Sequence, residues 1–275
     1  MLTPSVNTMK TNLNKLSSLS LLAILGAASG FVASSASAAT LVGEWNFDNS
    51  DLDNTGSTGV THDGTTSGTL GYVAADFSAG FNSGQALDAS SGYMRILNSV
   101  FGDAGYGLGT FDQTSFSVSL WMKADPSTLN WKSIADKGNP GGGPVSGWDI
   151  RKSGGATDAR ADFNGTSDAT YFSDVFDDEW HHIVMTVDSA NNLVSSYLDA
   201  GTPGTKSVTL SPEISDALNF GQYIGLIDEI KFYDGVLTSE QVTSLNTTNV
   251  IPEPGSYALL AGLAGMAFVM ARRRI

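Results

Sequence analysis

The chain has 275 residues, 31 of them glycine, with no cysteine and a formal net charge of −14. That length holds one β domain of ordinary size with targeting segments at its ends, and the lack of cysteine excludes disulfides, a thiol nucleophile and thiolate metal sites. With residues 1–39 and 250–275 set aside, 9 basic residues face 27 acidic ones, a balance of −18 that argues against nucleic acid or anionic lipid as a partner and favours divalent cations.

Residues 1–39 carry Lys10 and Lys15, an apolar run from Leu16 to Val32 softened by serines, and then Ala36-Ser37-Ala38-Ala39. A charged start, an apolar middle and an A-x-A-like end read as a secretory signal peptide. From Leu41 the pattern becomes that of strands. Leu41 to Asp48 sets Trp45 and Phe47 on one face and Glu44, Asn46 and Asp48 on the other. Residues 49–70, rich in Gly, Thr, Ser and Asp, read as a long loop. Phe81 to Leu87 enters a strand, and Tyr93 to Leu97 continues as a short one. The clearest alternation is Thr114 to Trp121, where Phe116, Val118 and Leu120 oppose serines. Trp131 to Lys137 follows, and then a glycine- and proline-rich loop over 138–147 that no helix crosses. Trp148 to Arg151, Ala159 to Asn164 and Thr170 to Ser173 are further strands. Asp178 to Val187 pairs with Leu193 to Leu198 through an Asn191-Asn192 turn.

Tyr223 to Leu237 is the last strand. Ile227, Ile230 and Phe232 interleave with Asp228, Glu229 and Lys231, and Asp234-Gly235 supplies a turn behind them. Thr238 or Ser239 then caps a short helix, with Gln241 three residues after Thr238 and Val242 and Leu245 facing inward. There is no internal repeat.

Taken together these runs resemble laminin-G-like (concanavalin A-like) jelly rolls. The matches are Trp45-x-Phe47-Asp48, Gly84-x-Ala86-Leu87, the Phe116 to Trp121 strand, Asp136-Lys137-Gly138 and Trp180-His181-His182. The last is Gly225-x-Ile227-Asp228-Glu229-Ile230-x-Phe232-Tyr233-Asp234 with Leu237. They cover residues 41–246. Two departures stand out: Ala200 lengthens the turn between Asp199 and Gly201, and the loop at 218–225 is short. The resemblance implies an all-β, two-sheet antiparallel jelly-roll sandwich with a short C-terminal helix over residues 40–249.

The far end has its own signature. Pro252-Glu253-Pro254 precedes an apolar segment from Tyr257 to Ala271, and Arg272, Arg273 and Arg274 close the chain before Ile275. The apolar segment is shorter than the ~20 residues of a comfortable membrane span, and the arginines would hold its end in the cytoplasm. The three pieces in this order resemble a PEP-CTERM sorting signal. That resemblance implies an exosortase-type membrane protease as a partner and export in a Gram-negative, exopolysaccharide-making bacterium. The C-terminal helix over 250–275 would be a transient anchor in the inner membrane, cut near the Pro-Glu-Pro.

The chemistry-bearing residues point to binding rather than catalysis. Glycoside hydrolysis needs two carboxylates flanking the sugar, and on related folds these come as Glu-x-Asp-x-(x)-Glu along one strand. No such run exists here, so no catalytic residue is assigned. A divergent glycoside hydrolase and a purely structural role in the exopolysaccharide layer are the alternatives. Asp48, Asp51, Asp53 and Asp63 crowd one loop and are candidate Ca²⁺ ligands, since the ion takes six to eight oxygens; a solvated acidic loop is the competing reading. His181 and His182, neighbours on a strand, point to opposite faces, which argues against one shared metal. Trp131, Trp148, Tyr171 and Phe172 lie in or near loops, and Trp148 is the first choice as an exposed sugar platform. Trp45, Trp121 and Trp180 fit the core. The expected partner is an extracellular polysaccharide or a surface protein, bound at the loops on one edge of the sandwich.

Overall fold

The computed structural model describes residues 39–56, 63–75, 84–96, 115–138, 147–155, 157–163, 166–208, 217–251 and 266. It divides into two compact units, Met1–Ser37 and Ala38–Ile275. The first lies wholly outside the described residues, as does the signal peptide expected there; so does the sorting signal from Pro252 to Arg274, except for Met266.

Among the described residues of the second unit, thirteen strands run β1 (Thr40–Trp45), β2 (Thr65–Ala74), β3 (Gln85–Ile96), β4 (Phe116–Ala124), β5 (Ser133–Gly138), β6 (Gly147–Lys152) and β7 (Ala159–Phe163). They continue with β8 (Thr166–Phe172), β9 (Trp180–Asp188), β10 (Leu193–Leu198), β11 (Gly204–Ser207), β12 (Leu218–Phe220) and β13 (Gly225–Asp234), and α1 (Ser239–Thr248) follows. All of the strand pairings are antiparallel, in the order β11-β10-β9-β4-β13-β3-β12-β5-β6-β7-β8, with β1 on β13 and β2 on β3. The path folds over at β13, which pairs with β4 along most of its length but with β3 only at Leu226 and Ile227. Two layers result, as expected for a jelly-roll sandwich. Strand β2 begins at Thr65, inside the stretch that reads as loop. Strands β11 and β12 also escape the sequence pattern, being four and three residues long, too short for a period to register.

Alternation along each strand sends one set of side chains into the space between the layers. Phe116 of β4 stacks on Phe232 of β13 at 5.4 Å and meets Trp148 of β6 across the core at 5.6 Å. Trp45 of β1 reaches Phe220 of β12 at 6.1 Å. Strand β13 keeps Ile227, Ile230 and Phe232 all inward through a bulge. The register shifts between Asp228 and Lys231, Glu229 takes φ +49°, and its N–H donates to the Asp228 carboxylate at 2.7 Å. One extra residue in the strand converts a spacing of three into two successive inward positions.

A second, smaller core lies on the outer face of the β4 layer. Helix α1 covers Val184, Tyr197, Tyr233 and Leu237 with Val242 and Leu245. The helix starts with a full capping box: the Gln241 N–H donates to Thr238 Oγ1, and the Thr238 N–H to Gln241 Oε1. Ser117 and Ser119, which alternate with Phe116, Val118 and Leu120, are therefore buried as well, on the face that the helix covers. Ser119 Oγ bonds His182 Nε2 at 2.9 Å, and the imidazole stacks on Trp121 at 5.1 Å. Lys231 joins Glu229 at 2.9 Å, Glu44 at 3.1 Å and Asn249. Burial holds the His182 ring neutral, pushing its pKa down to about 3. His181 points the other way and stays half-exposed between Asp199 (2.9 Å) and Asp177 (3.2 Å). Trp180, expected in the core, is only half-buried at the strand entry.

Candidate functional site

The outer face of the other layer is polar in an ordered way. Backbone register lines up Arg95, Asn219, Asp136, Asp149 and Asp162 across five successive strands, β3, β12, β5, β6 and β7. A second line follows, two residues along: Ser133, Arg151, Arg160 and Tyr171 on β5 to β8. Opposed residues in a sheet have their Cβ atoms about 5 Å apart, so three carboxylates stand side by side beside two guanidiniums. Arg151 Nε donates to Asp162 at 2.8 Å and its Nη2 to the same oxygen, while it lies 3.4 Å from Asp149. Arg160 reaches Asp162 at 3.0 Å. At the other end, Asn219 donates to Asp136 at 2.8 Å and Gln222 at 2.6 Å. Asp149 sits between the two held carboxylates, and its Oδ1 accepts no hydrogen bond from any described residue. Burial, reinforced by Asp162 and Asp136 and opposed by the two arginines, lifts its pKa to about 7. A carboxylic acid, a carboxylate and an arginine fork thus share one stretch of sheet.

This polar face ends at the loop between β4 and β5. Trp131 has φ +68° and keeps 49% of its surface exposed. Arg160 and Arg151 stack on its ring, 4.7 and 5.3 Å from the centroid. A Cβ on Gly154 would come within 2.5 Å of the indole Cζ2, so glycine there lets the ring lie against the β6–β7 turn. The loop is tied on both sides. The Asp125 N–H donates to Ile224 O at 2.9 Å, and Thr128 Oγ1 accepts from the Ile224 N–H at 3.2 Å. From the opposite side Lys152 Nζ donates to the carbonyls of Pro126 and Thr128, both at 2.7 Å, and sits 4.8 Å above the Phe176 ring. Burial lowers the Lys152 pKa.

Two clefts flank this loop. One, of about 450 Å³, lies toward Tyr93, Gln222 and Ile224. The other, of about 900 Å³, lies toward Thr157, Asp158 and Asp174. Thr128 and Leu129 wall both.

Trp148 is not the exposed platform expected of it. Alternation in β6 turns Trp148 and Ile150 inward and Asp149 and Arg151 outward, so the Trp148 ring is 2% exposed and packs on Phe116. Trp131 and Tyr171 are the exposed aromatics of that set, while Phe172 is buried. The acidic loop gathers in part. Asp51, and more weakly Asp63, raise the Asp53 pKa by like-charge repulsion. Asp51 accepts the Asp53 N–H, and Asp63 accepts that of Asn54. Asp48 turns instead to the start of β3 and accepts the Gln85 N–H at 3.2 Å. Among the described residues no group of three His, Cys, Asp or Glu side chains is placed to hold a metal ion. Carboxylates sought along a single strand are absent, but the sheet assembles them from three. The legible signal was charge at alternate positions in otherwise apolar strands, Asp149-x-Arg151 and Arg160-x-Asp162.

Solved structures show the same fold at low identity. Domain 4 of AbnA, a GH43 extracellular arabinanase from Geobacillus stearothermophilus solved in complex with arabinotriose, has a TM-score of 0.58 and 22% identity. The match covers 76% of this chain and 99% of that one. The binding domain of Paraclostridial Mosquitocidal Protein 1 gives 0.53 at 13% identity, covering 75% and 52%. The receptor binding domain of botulinum neurotoxin type G gives 0.52 at 13%, covering 75% and 51%. This chain therefore spans about half the length of the two toxin domains. No curated protein matches it by sequence. Residues 88–243, which contain the whole polar face and the Trp131 loop, match the Laminin_G_3 family model, and the chain belongs to that concanavalin A-like lectin/glucanase superfamily.

Proposed function

We propose that this is an exported, non-catalytic binding module that holds extracellular carbohydrate at the Trp131 end of its polar sheet face. The observation that carries the reading is Trp131 itself. A bulky residue in left-handed backbone costs about 1–3 kcal/mol, and its half-exposed ring returns little of that by burial. Two stacked arginines and a glycine without which the ring could not lie there hold it in place. Such strain concentrates where a side chain meets a ligand. Around it stand the hydroxyls, amides and charged groups that fix a sugar's orientation. The segments 1–39 and 250–275 supply the proposed route: secretion, transient anchoring, exosortase cleavage near Pro252-Glu253-Pro254 and delivery to the surface of a Gram-negative cell. A protein ligand at the same edge is the variant of this reading that a glycan screen excludes or admits.

A second reading, glycoside hydrolysis, is favoured by one specific feature: the neutral-range acid Asp149 lies next in line to Asp162. Both side chains are nearly sealed, at 13% and 0% exposure, and Asp162 is occupied by two arginines, so binding is the better-supported role.

The test is a screen of the secreted chain on immobilised glycans, arabino-oligosaccharides first, run with Ca²⁺ and with chelator, alongside Trp131→Ala. The reading expects saccharide binding that Trp131→Ala abolishes. Release of reducing ends by wild type but not by Asp149→Asn would replace it with the hydrolase.

A further inference from the structure

We infer that the ligand is a linear, uncharged polysaccharide that lies lengthwise across the β4–β5 loop, with one segment of the chain in each of the two clefts that meet at Thr128 and Leu129. This rests on the glycan reading above and sharpens it. Clefts of about 450 and 900 Å³ each fall in the ~300–1,000 Å³ range of small-molecule sites, and a shared wall makes them two halves of one groove. The crest between them is apolar and prominent. Leu129 is 69% exposed, with Ile224 beside it on the smaller cleft's side at 40%, and the hydrogen bonds from Thr128, Asp125 and Lys152 keep the loop from folding these side chains away. A surface already ordered before binding loses little entropy when a ligand arrives, and an apolar crest between polar walls suits a chain that presents C–H faces and hydroxyls by turns.

Three of the four charged side chains in the groove, Lys152, Asp158 and Asp174, are hydrogen-bonded within the protein, and the fourth, Lys132, lines the smaller cleft. The Lys152 ammonium serves two carbonyls, Asp174 accepts the Thr157 hydroxyl at 2.6 Å, and Asp158 accepts the Asp174 N–H at 2.9 Å. With a net charge of −14, the molecule as a whole repels polyanions. An uncharged chain fits both facts.

The experiment is calorimetric titration of the purified chain with arabinan, glucan and galactan oligosaccharides of two, four and eight units, with an eight-unit galacturonide as the charged arm. The expected result is an affinity at least about tenfold higher for an uncharged octamer than for its dimer, with the galacturonide weaker. Tyr93→Ala in the smaller cleft and Asn130→Ala in the larger should each cost the octamer about tenfold. Leu129→Asp, on the exposed crest, should do the same with an unchanged melting temperature. If dimer and octamer bind equally, or only one cleft responds, the lengthwise arrangement is overturned while the glycan reading stands. Tighter binding of the galacturonide overturns the preference for an uncharged ligand. No binding across the panel overturns both.

Discussion

The sandwich carries a polar network on each outer face, and the two end differently. Under α1, Ser119, His182, Lys231, Glu229 and Asn249 close on one another, with the helix as a lid. On the opposite face, Asp136, Asp149, Asp162, Arg151 and Arg160 form a line that runs out to a strained, half-exposed tryptophan. Burial and hydrogen bonding are similar in both, so neither separates structure from function. What separates them is the terminus: a network capped by apolar side chains holds a helix on, whereas one that ends at an exposed aromatic offers a surface.

The largest effects should be alike on the two faces. Asp162→Ala leaves Arg151 and Arg160 without their shared carboxylate, and Lys231→Ala leaves buried Glu229 without its cation. Stripping one partner from a buried pair costs about 3–5 kcal/mol. Denaturant midpoints should therefore fall comparably, and a mild Asp162→Ala would mean that the face is hydrated rather than sealed.

Next in size is an asymmetry in pH response. In the folded state Asp149 holds its proton up to about pH 7, well above the range in which the unfolded chain releases it. The unfolded state thus loses its proton first, and the Asp149 contribution to stability falls as pH rises from about 4 to about 7, by up to ~4 kcal/mol for a fully sealed group. Asp149→Asn should flatten that slope. The helix-covered face should respond in the opposite sense: His182 stays neutral in the folded chain down to about pH 3, whereas the unfolded chain protonates it near its ordinary value, so its contribution to stability rises with pH across most of the same window.

Smaller again is His182→Ala. It removes the bond to Ser119 and the stack on Trp121 and should cost about 2 kcal/mol, more than a surface histidine. Chemical denaturation of this variant beside His181→Ala would show the difference. His181 is raised by its bonds to Asp199 and Asp177, so its own contribution is present at acid pH and fades as pH rises through that raised value.

Much of this architecture was legible in residue order. Serines alternating with Phe116, Val118 and Leu120 marked β4, and Thr238 with Gln241 marked the helix start. The site was less legible, because its residues are neighbours only through strand pairing. Asp136, Asp149 and Asp162 are thirteen residues apart from one to the next, and no local pattern reports a register. Trp148 and Trp131 also look alike in sequence, each at the junction of a loop and a strand. Only the phase of β6 puts the first inside, and only the left-handed backbone at position 131 holds the second out.

The most direct test follows the Trp131 indole N–H in the two-dimensional NMR spectrum while an uncharged octasaccharide identified by calorimetry is added. The account predicts that this signal and the amides of residues 128–132 and 222–224 shift together, saturating at the calorimetric Kd. It also predicts that Gly154→Ala, which pushes the ring away, weakens binding without lowering the melting temperature by more than about 1 kcal/mol equivalent. Shifts confined to the helix-covered face around His182 and Asn246, with Trp131 unmoved, would contradict it.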